Sequence, residues 1–275
     1  MTEPTLHRTT SQDGTEIAYW TSGQGPPLLL VHGGLGDHGR WDALRPHLEL
    51  ERTVHAMDRR GRGASGDHPA YALEAEFADV AAVIDAISVA SGGPIDVYAH
   101  SSGGIYAAGA APLTSHIRRL AIYEGWDWVD PEAYVPPLDV LERMNARIAE
   151  GDREGACAML FREVIGMSED ELDVFRAQPS WAGRVAVVHT VPREVLAFVK
   201  SGFDPQQSGG LDIPVLLLLG SESPASWRSG AEQVAASLPH VRIAVLEGQG
   251  HSADVLVPEL VARELMAFLA GPADS

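Results

Sequence analysis

The chain reads as an α/β protein with a mostly parallel, doubly wound sheet. Three observations carry that expectation: short continuous apolar runs, helical periodicities that alternate with them, and a stretch, residues 125–212, where only helical periodicity survives. A strand covered by helices on both faces has no polar side, so its sequence loses alternation. At 275 residues, one such body carrying an insertion fits the length, and 45% hydrophobic with 21% charged residues is an ordinary globular composition.

The elements follow in order. TLHRTT and EIAYWTS alternate polar with apolar residues around the turn signal Asp13–Gly14, which predicts an antiparallel hairpin. PPLLLVHGG, from Pro26 to Gly34, and TVHAMD, ending at Asp58, predict buried strands. Phe77, Val80, Val83, Ile84 and Ile87 recur at helical spacing, and Ser91, Gly92 and Gly93 stop that helix before a strand over 94–99. A second helix leads to RLAIYE, a strand ending at Glu124. Later come PVLLLLG over 214–220, a helix through Ala231 to Leu238, the strand VRIAVLE, and a last helix from Pro258 to Ala270. Between these blocks, Leu141, Met144 and Ile148 mark one apolar helical face, and Leu160, Val164 and Ile165 another. The expected division is a core of residues 1–124 and 213–275 with a helical cap of residues 125–212.

Composition excludes several partners. A formal charge of -18 with no basic stripe opposes phosphate backbones, so nucleic acid is not expected to bind. The single cysteine, Cys157, has no partner for an internal disulfide, and MTEPTLHRTT lacks the apolar stretch of a secretion signal. No apolar run approaches the ~20 residues that a spanning helix needs. The expectation is a cytoplasmic protein without a membrane partner, whose arginine pairs beginning at Arg59 and Arg118 are solvated surface.

The segment VYAHSSGGIY, Val97 to Tyr106, passes abruptly from a strand-like run to a small-residue helix. A nucleophile on such a corner needs small residues two positions before and two after it. Around Ser101 these are Ala99 and Gly103; around Ser102 they are His100 and Gly104, and an imidazole does not fit the tight side. Ser101 is therefore the candidate nucleophile, with alanine where glycine is usual. The competing reading is a glycine-rich turn whose serines cap the following helix.

Together with HGG at His32 to Gly34, DRRGRG at Asp58 to Gly63 and GQGH at Gly248 to His251, AHSSGG at Ala99 to Gly104 resembles the α/β-hydrolase superfamily in order and spacing. The resemblance covers nearly the whole chain outside the insertion. It implies an α/β-hydrolase fold in which His251 comes over the strand ends to act as the base. The other ten histidines form no metal-ligand spacing, and His32 and His100 are expected to shape the site without carrying protons. Many relatives place an aspartate three residues after the glycine that ends the seventh strand, but GSESP puts Ser223 there. Some haloalkane dehalogenases and resorcylic-lactone hydrolases instead carry a glutamate after the sixth strand, where Glu124 stands, so Glu124 is assigned as the acid, with Glu222 as its rival. The same resemblance implies an oxyanion hole from the backbone N–H groups of Ser102 and Gly34, and a structural loop at Asp58 to Gly63.

Trp126 and Trp128 follow the candidate acid and Trp181 lies later in PSWAG; these rings either line an apolar substrate pocket or pack the cap's own core. The expected activity is hydrolysis of a carboxylic ester or lactone of an apolar small molecule through an acyl-enzyme, without cofactor or metal. A histidine base must be neutral, so turnover should rise through the ordinary histidine range, about 6 to 7. Amide, thioester or carbon–carbon bond hydrolysis, cofactor-free perhydrolysis and a non-catalytic receptor role share the same residues.

Overall fold

The computed structural model describes residues 3–126, 138–164, 167–178, 180–202 and 211–271. These divide into two compact units, one drawn from Met1–Val129 with Phe203–Ser275, the other from Asp130–Gly202. The second unit is narrower than the expected cap of residues 125–212, since Gly125, Trp126, Leu211 and Asp212 fall in the first.

The first unit holds one eight-stranded sheet: β1 (Thr5–Thr10), β2 (Glu16–Gly23), β3 (Pro27–Val31), β4 (Thr53–Met57), β5 (Ile95–His100), β6 (Ile117–Tyr123), β7 (Val215–Gly220) and β8 (Val241–Leu246), in the order β1-β2-β4-β3-β5-β6-β7-β8. The β1–β2 hairpin is antiparallel, as is the β2–β4 pair, and every other pairing is parallel. The edge strand β1 is almost wholly exposed and β2 beside it is partly buried, whereas every residue of β5 and β7 is buried. Each fully buried leucine of β7 contributes about 2 kcal/mol relative to exposure.

Eleven α-helical segments run in chain order among the described residues. In the first unit these are α1 (Arg45–Leu48), α2 (Leu73–Ser91), α3 (Gly103–Ala110), and later α9 (Ala225–Ser237), α10 (Ala253–Leu256) and α11 (Pro258–Ala270). The second unit contributes α4 (Leu138–Ala149), α5 (Arg153–Met159), α6 (Glu169–Arg176), α7 (Trp181–Val187) and α8 (Val191–Ser201). Helix α2 ends where Gly92 turns left-handed at φ 80° and its N–H returns to the Ser88 carbonyl at 2.9 Å, which is why the glycine pair reads as a stop. Helix α9 begins six residues before Ala231, because Ala225 to Gly230 carries no apolar period for the sequence to show.

Successive strands lie on opposite sides of β3: β4 pairs with one edge and β5 with the other. Such a reversal opens a crevice at the carboxyl ends of the strands, where ligands bind in open α/β sheets. Here those ends carry His32 to Leu35 after β3 and Ser101 after β5.

Of the arginines expected on the surface, Arg59, Arg60 and Arg119 are buried, and only Arg118 stays half-exposed. Arg59 and Arg60 are fully buried, Arg59 on Glu76 at 2.6 Å and Arg60 on Asp79 at 2.6 Å and Asp13 at 2.9 Å. Arg118 and Arg119 flank Asp96, which Arg52 also meets at 2.9 Å. The acidic partners come from α2, from the β1–β2 turn and from β5, distant in sequence, so a charge count along the chain missed them. Breaking such a buried pair from one side costs about 3 to 5 kcal/mol, because it strands the remaining charge.

Candidate active site

Ser101 sits at the corner between β5 and α3 with φ 55°, a left-handed conformation that costs a non-glycine residue about 1 to 3 kcal/mol. The surroundings hold it there: its N–H donates to the Tyr123 carbonyl at 2.9 Å and its carbonyl accepts from the Gly104 N–H at 2.8 Å. The turn is also close-packed against the loop after β3. A Cβ on Gly33 would lie 2.6 Å from the Ser101 Cβ, and one on Gly125 would lie 2.0 Å from the Ser101 carbonyl oxygen. The requirement for small residues thus extends beyond the corner to both neighbouring strand ends.

Among the described residues, three non-glycine residues have positive φ: Leu35 at 56°, Ser101 and Glu124 at 48°. They occupy the ends of three adjacent strands, β3, β5 and β6. Backbone strain is thus gathered at one edge of the sheet, where strained residues and functional sites tend to coincide.

Glu124 is buried, and its carboxylate accepts three hydrogen bonds. Oε1 takes the Gly220 N–H at 2.7 Å and the Ser223 hydroxyl at 2.6 Å; Oε2 takes His251 Nδ1 at 2.8 Å. Ser223, at the position where many relatives have an acid, is thus a donor to Glu124. Glu222 is exposed, and its Oε1 accepts only from the neighbouring Ser221 hydroxyl at 3.3 Å among the described hydrogen bonds.

A carboxylate can only accept, so the His251 Nδ1 carries a proton, and in the neutral ring the lone pair is left on Nε2. The backbone of this histidine is tied on both sides. The Tyr123 hydroxyl donates to the Gly250 carbonyl, and His100 Nε2 lies 2.8 Å from the His251 carbonyl. The His100 ring centroid is 4.4 Å from that of His251, and Trp227 stands edge-on to it at 4.8 Å. Behind them Arg40 bridges to the buried Asp254 at 2.8 and 2.9 Å. Trp227, Tyr123, Arg40 and Asp254 were missed by sequence reasoning; none lies in a motif, and Asp254 alone, three residues past the base, carried a positional hint. No described hydrogen bond joins Ser101 Oγ to His251; such contacts are often long without substrate and tighten when it binds.

On the opposite wall, a Cβ on Gly34 would meet nothing within 4 Å, so this glycine faces open space. No described hydrogen bond uses the N–H of Gly34 or Ser102. Asp58 holds the loop that follows: it accepts from the His38 N–H and His38 Nδ1, both at 2.8 Å, from Ala64 N at 2.9 Å and from Trp20 Nε1 at 3.2 Å. The motif from Asp58 to Gly63 therefore ties the turn after β3 to β2.

The tryptophans separate. Trp126 is buried beside α9, its Nε1 donating to the Trp227 carbonyl at 3.0 Å. Trp181 packs beside Phe161 at 5.8 Å inside the helical unit. Trp128 lies outside the described residues.

Burial pushes the imidazoles of His32 and His100 well below the ordinary histidine range and His55 down to about 4. An unfolded chain takes up protons from about pH 6.5 that these folded imidazoles refuse, so stability falls as the pH drops from there toward 4. For His55 alone the full loss is about 3 kcal/mol. Melting temperatures measured from pH 7 to 4.5 should therefore carry a downward contribution from these rings, opposed by the Asp79 carboxyl that burial raises to about 6, and His55→Gln should remove one proton's share of the downward part.

A model of the alpha/beta hydrolase family matches residues 28–264. The chain belongs to that family. It is 37% identical to an alpha/beta hydrolase from Sphaerobacter thermophilus, with a TM-score of 0.82 over 96% of this chain and 100% of the other. It is 25% identical to a thermophilic esterase from Thermogutta terrifontis, with a TM-score of 0.71 over 96% and 98%. A relative from Acinetobacter baylyi, an (E)-2-((N-methylformamido)methylene)succinate hydrolase, is 23% identical over 91% of this chain and 93% of its own. Among the described residues, no helix is long and apolar enough to cross a membrane and no group of His, Cys, Asp and Glu is arranged to hold a metal ion.

Proposed function

We propose that the protein is a serine hydrolase that cleaves a carboxylic ester or lactone of an apolar small molecule. The observation that carries this reading is the 2.8 Å contact of His251 Nδ1 with the buried Glu124 carboxylate, on the sheet edge that also holds Ser101 in a strained corner. The esterase among the similar structures supports the ester bond as the target.

In this scheme Ser101 Oγ attacks the carbonyl carbon while its proton passes to His251 Nε2. Glu124 keeps the Nδ1 proton in place and offsets the charge of the imidazolium. The carbonyl oxygen, now an anion, accepts from the N–H groups of Ser102 and Gly34, each such donor contributing about 3 kcal/mol to the transition state. His251 then gives its proton to the leaving alkoxide, and a water, activated by the same imidazole, releases the acid and restores the serine. Every step uses groups of this chain and water.

Labelling with a fluorophosphonate followed by peptide mapping, and a panel of p-nitrophenyl esters and aliphatic lactones, tests the reading. The expected outcome is one labelled peptide, containing Ser101, and turnover of short esters. Absence of both labelling and turnover would leave a receptor of the same fold.

A further inference from the structure

We infer that Arg59 and His32 are positioning residues for the oxyanion hole: together they saturate the Gly33 carbonyl, and so aim and polarise the Gly34 N–H. The inference rests on the serine-hydrolase reading above. The Gly33 carbonyl and the Gly34 N–H belong to one planar peptide unit, and in a trans peptide the two point in opposite directions. Whatever pins the carbonyl therefore sets where the N–H aims.

Two donors pin it. His32 Nδ1 lies 2.9 Å from the Gly33 oxygen and Arg59 Nη1 lies 3.2 Å from it. A carbonyl only accepts, so His32 Nδ1 bears the proton, and His32 Nε2 accepts the Arg59 backbone N–H at 3.2 Å. Both ring nitrogens are used and the ring is neutral. Its burial, with the cations of Arg62 and Arg59 nearby, agrees with that by holding its pKa well below the ordinary range.

Arg59 is fixed in turn. Its guanidinium makes a forked pair with Glu76 of α2, at 3.0 and 2.6 Å, and stands 3.9 Å over the ring of Tyr106 on α3, the helix that starts at the serine corner. Arg59 thus connects the end of β4, α2, α3 and the loop after β3. A cation on the carbonyl draws density from the peptide and strengthens the N–H at its far end as a donor. Rotation of the same peptide would turn a carbonyl toward the developing anion, and the strained Leu35, next in the chain, makes this loop costly to hold without such ties.

Arg59→Met alone would strand the Glu76 charge, so the Arg59→Met/Glu76→Gln double variant is the informative one. His32→Leu removes the second donor, and His32→Asn returns an amide nitrogen near the place of Nδ1. The readouts are kcat/KM and KM for p-nitrophenyl acetate, and the inhibition constant of an aryl trifluoromethyl ketone. Ser101 Oγ adds to that ketone, its proton passes to His251, and the ketone oxygen becomes the anion in the hole. The double variant and His32→Leu should lose about 10- to 100-fold in kcat/KM, with an equal loss of ketone affinity and KM changed less than about twofold. His32→Asn should recover most of the loss.

Folded variants whose ketone affinity stays at the wild-type level would overturn the inference, and the His32 pair gives the same readout if the Arg59 double variant does not fold. Failure of the underlying reading looks different: Ser101→Ala would then retain turnover and the parent protein would not bind the ketone.

Discussion

Ser101→Ala is expected to lower kcat/KM for p-nitrophenyl esters by about 10⁵-fold or more and to abolish fluorophosphonate labelling. The size follows from the role: without the hydroxyl there is no acyl-enzyme, and only binding and the oxyanion donors remain to help a direct attack by water. Ser102→Ala is the control. Its hydroxyl is buried without a hydrogen-bond partner among the described residues, and only its backbone N–H is assigned a part. That variant should keep turnover within about tenfold of the parent, since a backbone donor survives a side-chain change. Equal losses in the two variants would point to general damage at the corner instead of a nucleophile.

Glu124→Gln is expected to cost about 10³- to 10⁴-fold in kcat with little change in KM, while Glu222→Gln leaves both near the parent values. Glu124 Oε1 is committed to the Gly220 N–H and the Ser223 hydroxyl, so the replacing amide would direct its NH₂ toward His251 Nδ1. Two donors cannot face each other. The imidazole would then move its proton to Nε2 and lose the lone pair that serves as base. The shape is nearly unchanged, so the loss reads the tautomer and not the packing. A reversed result, with Glu222→Gln inactive and Glu124→Gln active, would transfer the acid to the loop after β7. The exposure of Glu222 argues against that outcome.

Most of the core architecture was legible because its signals are local. The apolar runs of β3, β5 and β7 need no knowledge of their neighbours to read as strands buried on both faces, and the Gly92 stop is a property of one residue's backbone. The serine corner was legible for the same reason, since the crowding that demands Ala99 and Gly103 arises within a few residues. The carboxylate was less so. Its reading depended on a resemblance, and the hydroxyl of Ser223 bonded to it, 99 residues away, has no local signature.

Buried charge was misread outright. Arg59 and Arg60 look like surface because charged residues are mostly exposed, and only the fold shows Glu76 and Asp79 across from them on α2. The tryptophans behave likewise: Trp126 against α9 and Trp181 against Phe161 are contacts between segments that no spacing rule joins.

The sequence by itself determined the order of strands and helices and the serine at the β5 corner, because backbone geometry and apolar patterning act over a few residues, while His251 was singled out through the resemblance to a family. Tertiary structure alone decided that Glu124 meets His251, that the Gly33 carbonyl is held by an imidazole and a guanidinium, and that Arg59 and Arg60 share the interior with Glu76 and Asp79. Hydrogen bonds and ion pairs form between whatever groups folding brings within about 3 Å, and the distance between two side chains far apart in the chain is a property of the packed sheet and helices, written in no single stretch of residues.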